Sequence, residues 1–226
     1  MEQLYETLAA ELIKTIDGTP KGEKFILGIT GIPGSGKTTT SIRLYELIKK
    51  QRPENIVVVP MDGFHHYRSE LDRMDDPAEA HRRRGAPFTF NSKRFADTLE
   101  TIKNKGEALA PSFDHNFGDP VEKDIIVEPQ HKLVIVEGIY LLIDGEDWER
   151  ARKVFDQVWY VDIDIPAAME RVRKRHMATG LTAELARERC EKSDKLNAHL
   201  IEENKSKADR VITSKEDGRY AVNEFN

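Results

Sequence analysis

The segment from Phe25 to Thr38, FILGITGIPGSGKT, constrains this chain more than any other, because an apolar β-rich run passes directly into Gly31-x-x-x-x-Gly36-Lys37-Thr38. Glycines at this spacing let successive backbone N–H groups curl around a phosphate where a Cβ would obstruct them. The Lys-Thr pair at the end adds a mobile positive charge and a hydroxyl ligand for Mg2+. The amphipathic run that follows (Ile42, Leu44, Tyr45, Leu47, Ile48) predicts a helix from Lys37, whose positive end faces the same phosphates. A glycine-rich turn that merely packed a strand on a helix would give no reason for Lys37 and Thr38. Gly31, Ile32, Pro33, Gly34, Ser35, Gly36, Lys37, Thr38 and Thr39 are therefore expected to hold ATP, with Thr38 on its Mg2+.

Such a loop belongs in a parallel sheet wrapped by helices, and the rest of the chain supplies the pieces in alternating order. Strands are expected at Phe25–Thr30, Asn55–Pro60, Lys132–Glu137, Gln157–Asp162 and Asp209–Thr213. Helices are expected at Glu2–Ile16, Lys37–Lys50, Asn91–Asn104, Pro166–Thr179 and Thr182–Asn204, the last broken near Ser193. Continuous apolar runs such as VVVP and LVIVEG suit strands buried on both faces. The stretches 63–90 and 109–129 are rich in Pro, Gly, Asp and His with weak periodicity, and read as long irregular segments of the kind that carry function. No repeat, low-complexity tract or linker divides the 226 residues. The expectation is one α/β domain over 1–226, a P-loop NTPase with a central parallel sheet sandwiched by helices and a helical lid.

Charge and cysteine content narrow the setting. The net charge is −5 with acids and bases interspersed, and the basic run HRRRG lies among acids without interleaved aromatics, so no nucleic-acid partner is expected. A lone Cys190 excludes an intramolecular disulfide and a cysteine cluster for zinc. No apolar run approaches the ~18–20 residues of a membrane span, and MEQLYETLAAELIK reads as an acidic amphipathic helix instead of a signal segment. A cytoplasmic protein without a membrane partner is expected, and a homodimer is compatible with this reading.

Three further features sit where chemistry would need them. Met61-Asp62-Gly63-Phe64-His65-His66 follows the second strand, and ligands of open α/β sheets bind beyond the carboxyl ends of the strands. Asp62 there can accept a proton from a substrate hydroxyl or help hold Mg2+ through water; the bland reading is a turn Asp before Gly. Glu137 ends the apolar strand LVIVE, placed to serve the metal beside the phosphates. Arg171 and Arg175 are one helical turn apart and can point together at a triphosphate, unless they belong to a solvated face paired with Glu170 or Glu184. With the segment that follows they suggest a lid over about 171–195 that keeps water from the transferred group.

GIPGSGKTT, the Asp-Gly-Phe-His loop, RRGAPFTF from Arg83 to Phe90, PSFDH from Pro111 to His115, and VIVEG occur in this order over nearly the whole chain. In this the sequence resembles the P-loop kinases of the uridine kinase, pantothenate kinase and phosphoribulokinase superfamily. It looks closest to nucleoside/nucleotide kinase-like proteins also labelled fructose-transport-system kinases, which carry RRGAPFTF, SFDH with GDP, EGIYLLID and RHMATG. The resemblance implies Lys37, Asp62, Arg171 and Arg175 as the catalytic set, Glu137 at the metal, and Phe113, Asp114 and His115 in the acceptor pocket. It also implies Asn197 as a nucleotide contact. A pocket offering Asp62, His65, Arg84, Asp114 and His115 suits a polyhydroxylated or mildly anionic small molecule. Uridine kinases read Tyr-Asp-Phe where this chain has Phe113-Asp114-His115, which weakens a nucleoside acceptor, and the loop after Arg84 departs from that of pantothenate kinases. The expected function is transfer of the γ-phosphoryl of ATP to a hydroxyl of a small metabolite. The alternative is an ATPase acting as a switch on a macromolecule; a guanine-specific Asn-Lys-x-Asp run is absent.

Overall fold

The computed structural model describes residues 1–215. The end of the expected unit, 216–226, lies outside the described residues.

Five strands form the central sheet in the order β2-β5-β1-β6-β7: β1 (Phe25–Thr30), β2 (Ile56–Pro60), β5 (Leu133–Glu137), β6 (Gln157–Asp162) and β7 (Arg210–Thr213). Every neighbouring pair is parallel. Side chains alternate between two cores, as the pleat requires. Ile26, Val134, Val136 and Tyr160 face one side, where α5 (Ser92–Lys105), α6 (Glu146–Arg152) and α9 (Lys195–Glu203) contribute Phe95, Leu99, Trp148 and Ile201. Leu27, Ile29, Ile135 and Trp159 face the other, covered by Leu8, Leu12 and Ile16 of α1 (Glu2–Gly18) and by Leu44 and Ile48 of α2 (Lys37–Lys49). Apolar residues on both faces explain why VVVP and LVIVE show no alternation.

The remaining helices surround the carboxyl edge of the sheet. They are α3 (Arg68–Leu71), α4 (Pro77–Arg82), α7 (Ile165–Ala178, capped by the Asp164 carboxylate on the Ala167 amide) and α8 (Ala183–Arg189). The expected break near Ser193 is a π-helical turn over Cys190–Asp194, in which the Lys195 amide bonds the Cys190 carbonyl.

Two expectations need correction. The stretch 109–129 is not irregular: β3 (Ala108–Asp114) and β4 (Asp119–Val127) form an antiparallel hairpin separate from the central sheet. The stretch 63–90 holds a 3-10 turn at Met61–Phe64, the short helices α3 and α4, and a second 3-10 turn at Pro87–Thr89. Among the described residues no helix is long and apolar enough to cross a membrane.

The hairpin is pressed against the Asp62 loop. A Cβ on Gly63 would lie 2.1 Å from the Pro111 carbonyl oxygen, a backbone atom that cannot swing aside. Gly63→Ala is therefore expected to lower the unfolding free energy by about 2 kcal/mol or more, as overpacking against a rigid neighbour does. Denaturant titration measures this, and an unchanged midpoint would show that loop and hairpin separate freely.

Candidate active site

The phosphate loop leaves β1 after Thr30 and enters α2 at Lys37, with Gly36 as the N-cap. Gly34 and Gly36 adopt φ of +81° and +93°, backbone that favours glycine, and a Cβ on Gly34 would come within 2.5 Å of the Ala168 carbonyl oxygen. The cradle is thus shaped by glycine and backed by α7. Inside it the Ser35 hydroxyl is buried without a hydrogen-bond partner, the state expected of a group whose partner is an anion. Lys37 Nζ stands 3.7 Å from Glu137 Oε1, with both side chains nearly closed off from solvent. These features fit a nucleotide phosphate with its metal: glycine-lined amides, an unpaired hydroxyl, a cation and a strand-end carboxylate.

Parallel register brings the carboxylates to one edge. Pro60 of β2 pairs with Glu137 of β5, so Asp62, two residues past β2, stands on the rim where Glu137 ends its strand. Among the described residues no side chain or amide hydrogen-bonds the Asp62 carboxylate. Its backbone carbonyl is engaged instead, accepting from His65 Nδ1 at 2.8 Å and the His65 amide at 3.2 Å. Burial pushes the His65 imidazole below its ordinary value, against the pull of Asp62. The neutral ring stacks between Phe90 and Phe113, at centroid distances of 3.8 and 4.9 Å.

The acceptor-side segments converge here. The His66 amide bonds the Thr89 carbonyl and the Asn91 amide bonds that of Phe64, joining the Asp62 loop to 83–90. Arg84 Nη2 donates to the His66 carbonyl at 3.0 Å and to Asp119 Oδ1 at 3.1 Å, with its guanidinium 5.8 Å from the centre of the Phe113 ring. His115 meets the edge of Phe113 at 5.1 Å. The hairpin is tied to the segment after His66 by Tyr67, whose hydroxyl donates to Glu122 at 2.6 Å. Burial and that acid push Tyr67 up to about 12.

Four more of the predicted residues are placed as follows. The Asp114 carboxylate accepts the Asn116 and Phe117 amides at 2.7 and 3.1 Å, so it shapes the hairpin turn. Asn197 is buried against the acceptor-side loop: Nδ2 donates to the Gly85 carbonyl at 3.1 Å, and Oδ1 accepts from Arg83 Nη2 at 3.4 Å. No phosphate-loop atom is among its hydrogen-bond partners. Arg171 reaches that loop, with Nη1 3.3 Å from the Gly34 carbonyl oxygen and 3.2 Å from Ser214 Oγ, while Arg175 lies one turn further along α7.

Arg83, Asp119 and Tyr140 carry no role in the sequence reading. The Tyr140 hydroxyl donates to the Gly85 carbonyl at 2.6 Å, and burial pushes this phenol up so that it remains a donor. Gly85 is thereby held from both sides, by Tyr140 just past the Glu137 strand and by Asn197 of α9. The Gly-Asp-Pro and Glu-Gly-Ile-Tyr strings that hold Asp119 and Tyr140 were visible, but nothing local marks which polar residue meets a loop some 35 to 55 positions away.

Comparison with known proteins agrees with this architecture. The model of the phosphoribulokinase / uridine kinase family matches residues 26–219. The chain belongs to the phosphoribulokinase / uridine kinase family. Within reach of this family is a Schizosaccharomyces pombe protein named "Putative uridine kinase C227.14", 38% identical over 216 residues, covering 93% of this chain and 89% of that protein. The "ATP-dependent kinase YFH7" of Zygosaccharomyces rouxii is 32% identical over 228 residues, covering 87% of this chain; the match spans only 60% of that longer protein. Among solved structures, the "putative fructose transport system kinase" of Silicibacter sp. TM1040 is 28% identical with a TM-score of 0.81, covering 92% of this chain and 98% of its own. The expected family and α/β P-loop kinase fold both hold, and membership carries ATP-dependent kinase chemistry with it.

Proposed function

We propose that the chain transfers the γ-phosphoryl of ATP to a hydroxyl of a small metabolite bound among Asp62, His65, Arg84, Phe113 and His115. The observation that carries this reading is the shared rim. Lys37 at the start of α2, with Glu137 and Asp62 at adjoining strand ends, stands beside a glycine-shaped phosphate cradle, and the Asp62 carboxylate has no hydrogen-bond partner among the described residues. Phosphoryl transfer asks a protein mainly for positioning and charge stabilisation. Amides of 31–38 and Lys37 hold the β- and γ-phosphates, and Asp62 accepts the proton of the attacking hydroxyl. The Thr38 hydroxyl and Glu137 would hold Mg2+, which neutralises charge on the phosphates when bound. His65, kept neutral by burial, orients by stacking and leaves the proton to Asp62. The testing experiment is ADP release measured with and without a panel of sugars, nucleosides, hydroxy acids and sugar phosphates. Release that depends on an acceptor supports the kinase; acceptor-independent hydrolysis at the same rate supports a nucleotide switch.

Arg171 and Arg175 are assigned to charge that grows during transfer, within a lid over residues 171–195. The base of that lid is anchored, because Val172 is buried and a Cβ on Gly34 would come within 3.0 Å of its Cγ2. Met177 and Leu185 are exposed, which marks the outer part as the portion able to close. Amides of that part should exchange quickly in the apo protein and become protected when an ATP analogue and acceptor are both bound. Arg171→Ala and Arg175→Ala should lower kcat more than they weaken ATP binding. Slow exchange insensitive to ligands, together with fully active variants, would leave an ordinary packed helix pair.

A further inference from the structure

Four buried side-chain polar atoms among the described residues lack a hydrogen-bond partner: the Ser35 hydroxyl, Nε of Arg83, and Nε and Nη1 of Arg84. Buried polar groups are almost always paired, so each exception asks what partner is missing. Ser35 lies in the phosphate cradle, where the missing partner is an anion. The other three are guanidinium donors, and all lie on the acceptor-side loop.

Charge there is out of balance. Among the described residues Asp119 is the only carboxylate that Arg84 meets, through Oδ1 alone at 3.1 Å, and that same oxygen also accepts the Arg68 amide at 2.9 Å. Among the described residues Arg83 donates only to the neutral amide of Asn197, at a long 3.4 Å. Of these two adjacent guanidinium groups, Arg84 meets a single carboxylate oxygen and Arg83 meets none among the described residues.

We propose that Arg84, backed by Arg83, receives an anionic substituent of the acceptor, a carboxylate or a phosphate, so that the substrate is an anionic alcohol rather than a neutral sugar or nucleoside. This rests on the acceptor site assigned above and adds the chemical class that the site selects. The donors are closed off from water in this conformation, so the anion reaches them as the loop around Gly85, clamped by Tyr140 and Asn197, gives way. Because the donors have no hydrogen-bond partner among the described residues, an acceptor lacking the anion leaves them unpaired. A site of this kind rejects such an analogue strongly, whereas an apolar pocket discriminates weakly.

The test uses the full chain, saturated with ADP and Mg2+ for melting so that the phosphate cradle is filled and with ATP and Mg2+ for turnover, and matched probes: glycerol, D-glycerate and glycerol 3-phosphate; ribose, ribonate and ribose 5-phosphate; panthenol and pantothenate. Within at least one set an anionic member should raise the melting temperature where the neutral one does not, and should exceed it in kcat/KM by roughly ten- to a hundredfold. The arm that wins distinguishes carboxylate from phosphate. Arg84→Gln should remove the preference. Should that variant fail to fold, Arg84→Lys keeps the charge but not the Nε and Nη1 donors, and should lose at least tenfold in apparent affinity for the anion. Neutral members equal to their anionic partners, a preference that survives substitution of Arg84, or no anion-dependent shift in melting would each overturn the inference. Anion-dependent shifts with no phosphoryl transfer to any probe would instead count against the transferase reading and leave the anion site standing.

Discussion

Lys37→Ala is expected to cut ATP-dependent phosphoryl transfer by roughly 10^3–10^5-fold, the range over which a single cation on the transferred group acts in this chemistry. Lys37 occupies the first turn of α2, with its ammonium 3.7 Å from Glu137 and little exposed to solvent. Arg171 is engaged instead with the Gly34 carbonyl and the Ser214 hydroxyl. The core does not depend on Lys37, because α2 packs through Thr40, Ser41, Leu44 and Ile48. The variant should therefore keep its circular dichroism and cooperative unfolding while losing turnover. A folded Lys37→Ala protein with near-normal activity would refute the placement of the phosphates.

What the sequence disclosed and what it hid divide along physical lines. The boundaries of β1 and the start of α2 match the expected residues, because an apolar run ending in a glycine loop has one local solution. The helices expected from Asn91 and from Thr182 begin there because each of these side chains accepts an amide three residues on. The hairpin was hidden because its pattern contradicts the usual strand signals. Pro111 and Pro120 stand inside its strands, most of β4 is exposed, and it pairs only with β3. In the site, Asp62 and Glu137 were readable from their position after buried strands. The partners of Arg84 and the clamp on Gly85 were not, since Asp119, Tyr140 and Asn197 reach the loop from 35, 55 and 112 residues away. Such contacts come from the stacking of elements and leave no local periodicity. Asn197 illustrates this: its helix was expected, yet the face it presents was set by α9 lying over the loop at Arg83–Gly85.

The two rim carboxylates should fail in different ways, and the largest effect after Lys37 falls on Asp62. Asp62→Asn removes the proton acceptor but keeps shape and hydrogen-bonding capacity, and loss of a general base costs about 10^2–10^4-fold in rate. The fall should appear in kcat with ATP affinity nearly unchanged, because among the described residues no hydrogen bond or ion pair joins Asp62 to the phosphate loop and its backbone carbonyl continues to hold His65. Glu137→Gln should act on the metal instead, raising the Mg2+ concentration needed for half-maximal activity and freeing Lys37 from its 3.7 Å partner. Titrating Mg2+ against both variants at saturating ATP separates the roles. If Asp62→Asn shifts the Mg2+ requirement as far as Glu137→Gln does, Asp62 serves the metal and the attacking hydroxyl is deprotonated elsewhere. Among the described residues of the pocket His115 is then the next candidate, because His65 is buried and has its Nδ1 committed to the Asp62 carbonyl. A kcat loss in Asp62→Asn that persists unchanged at high Mg2+ would support Asp62 as the base, on the rim that the register between β2 and β5 places beside Glu137.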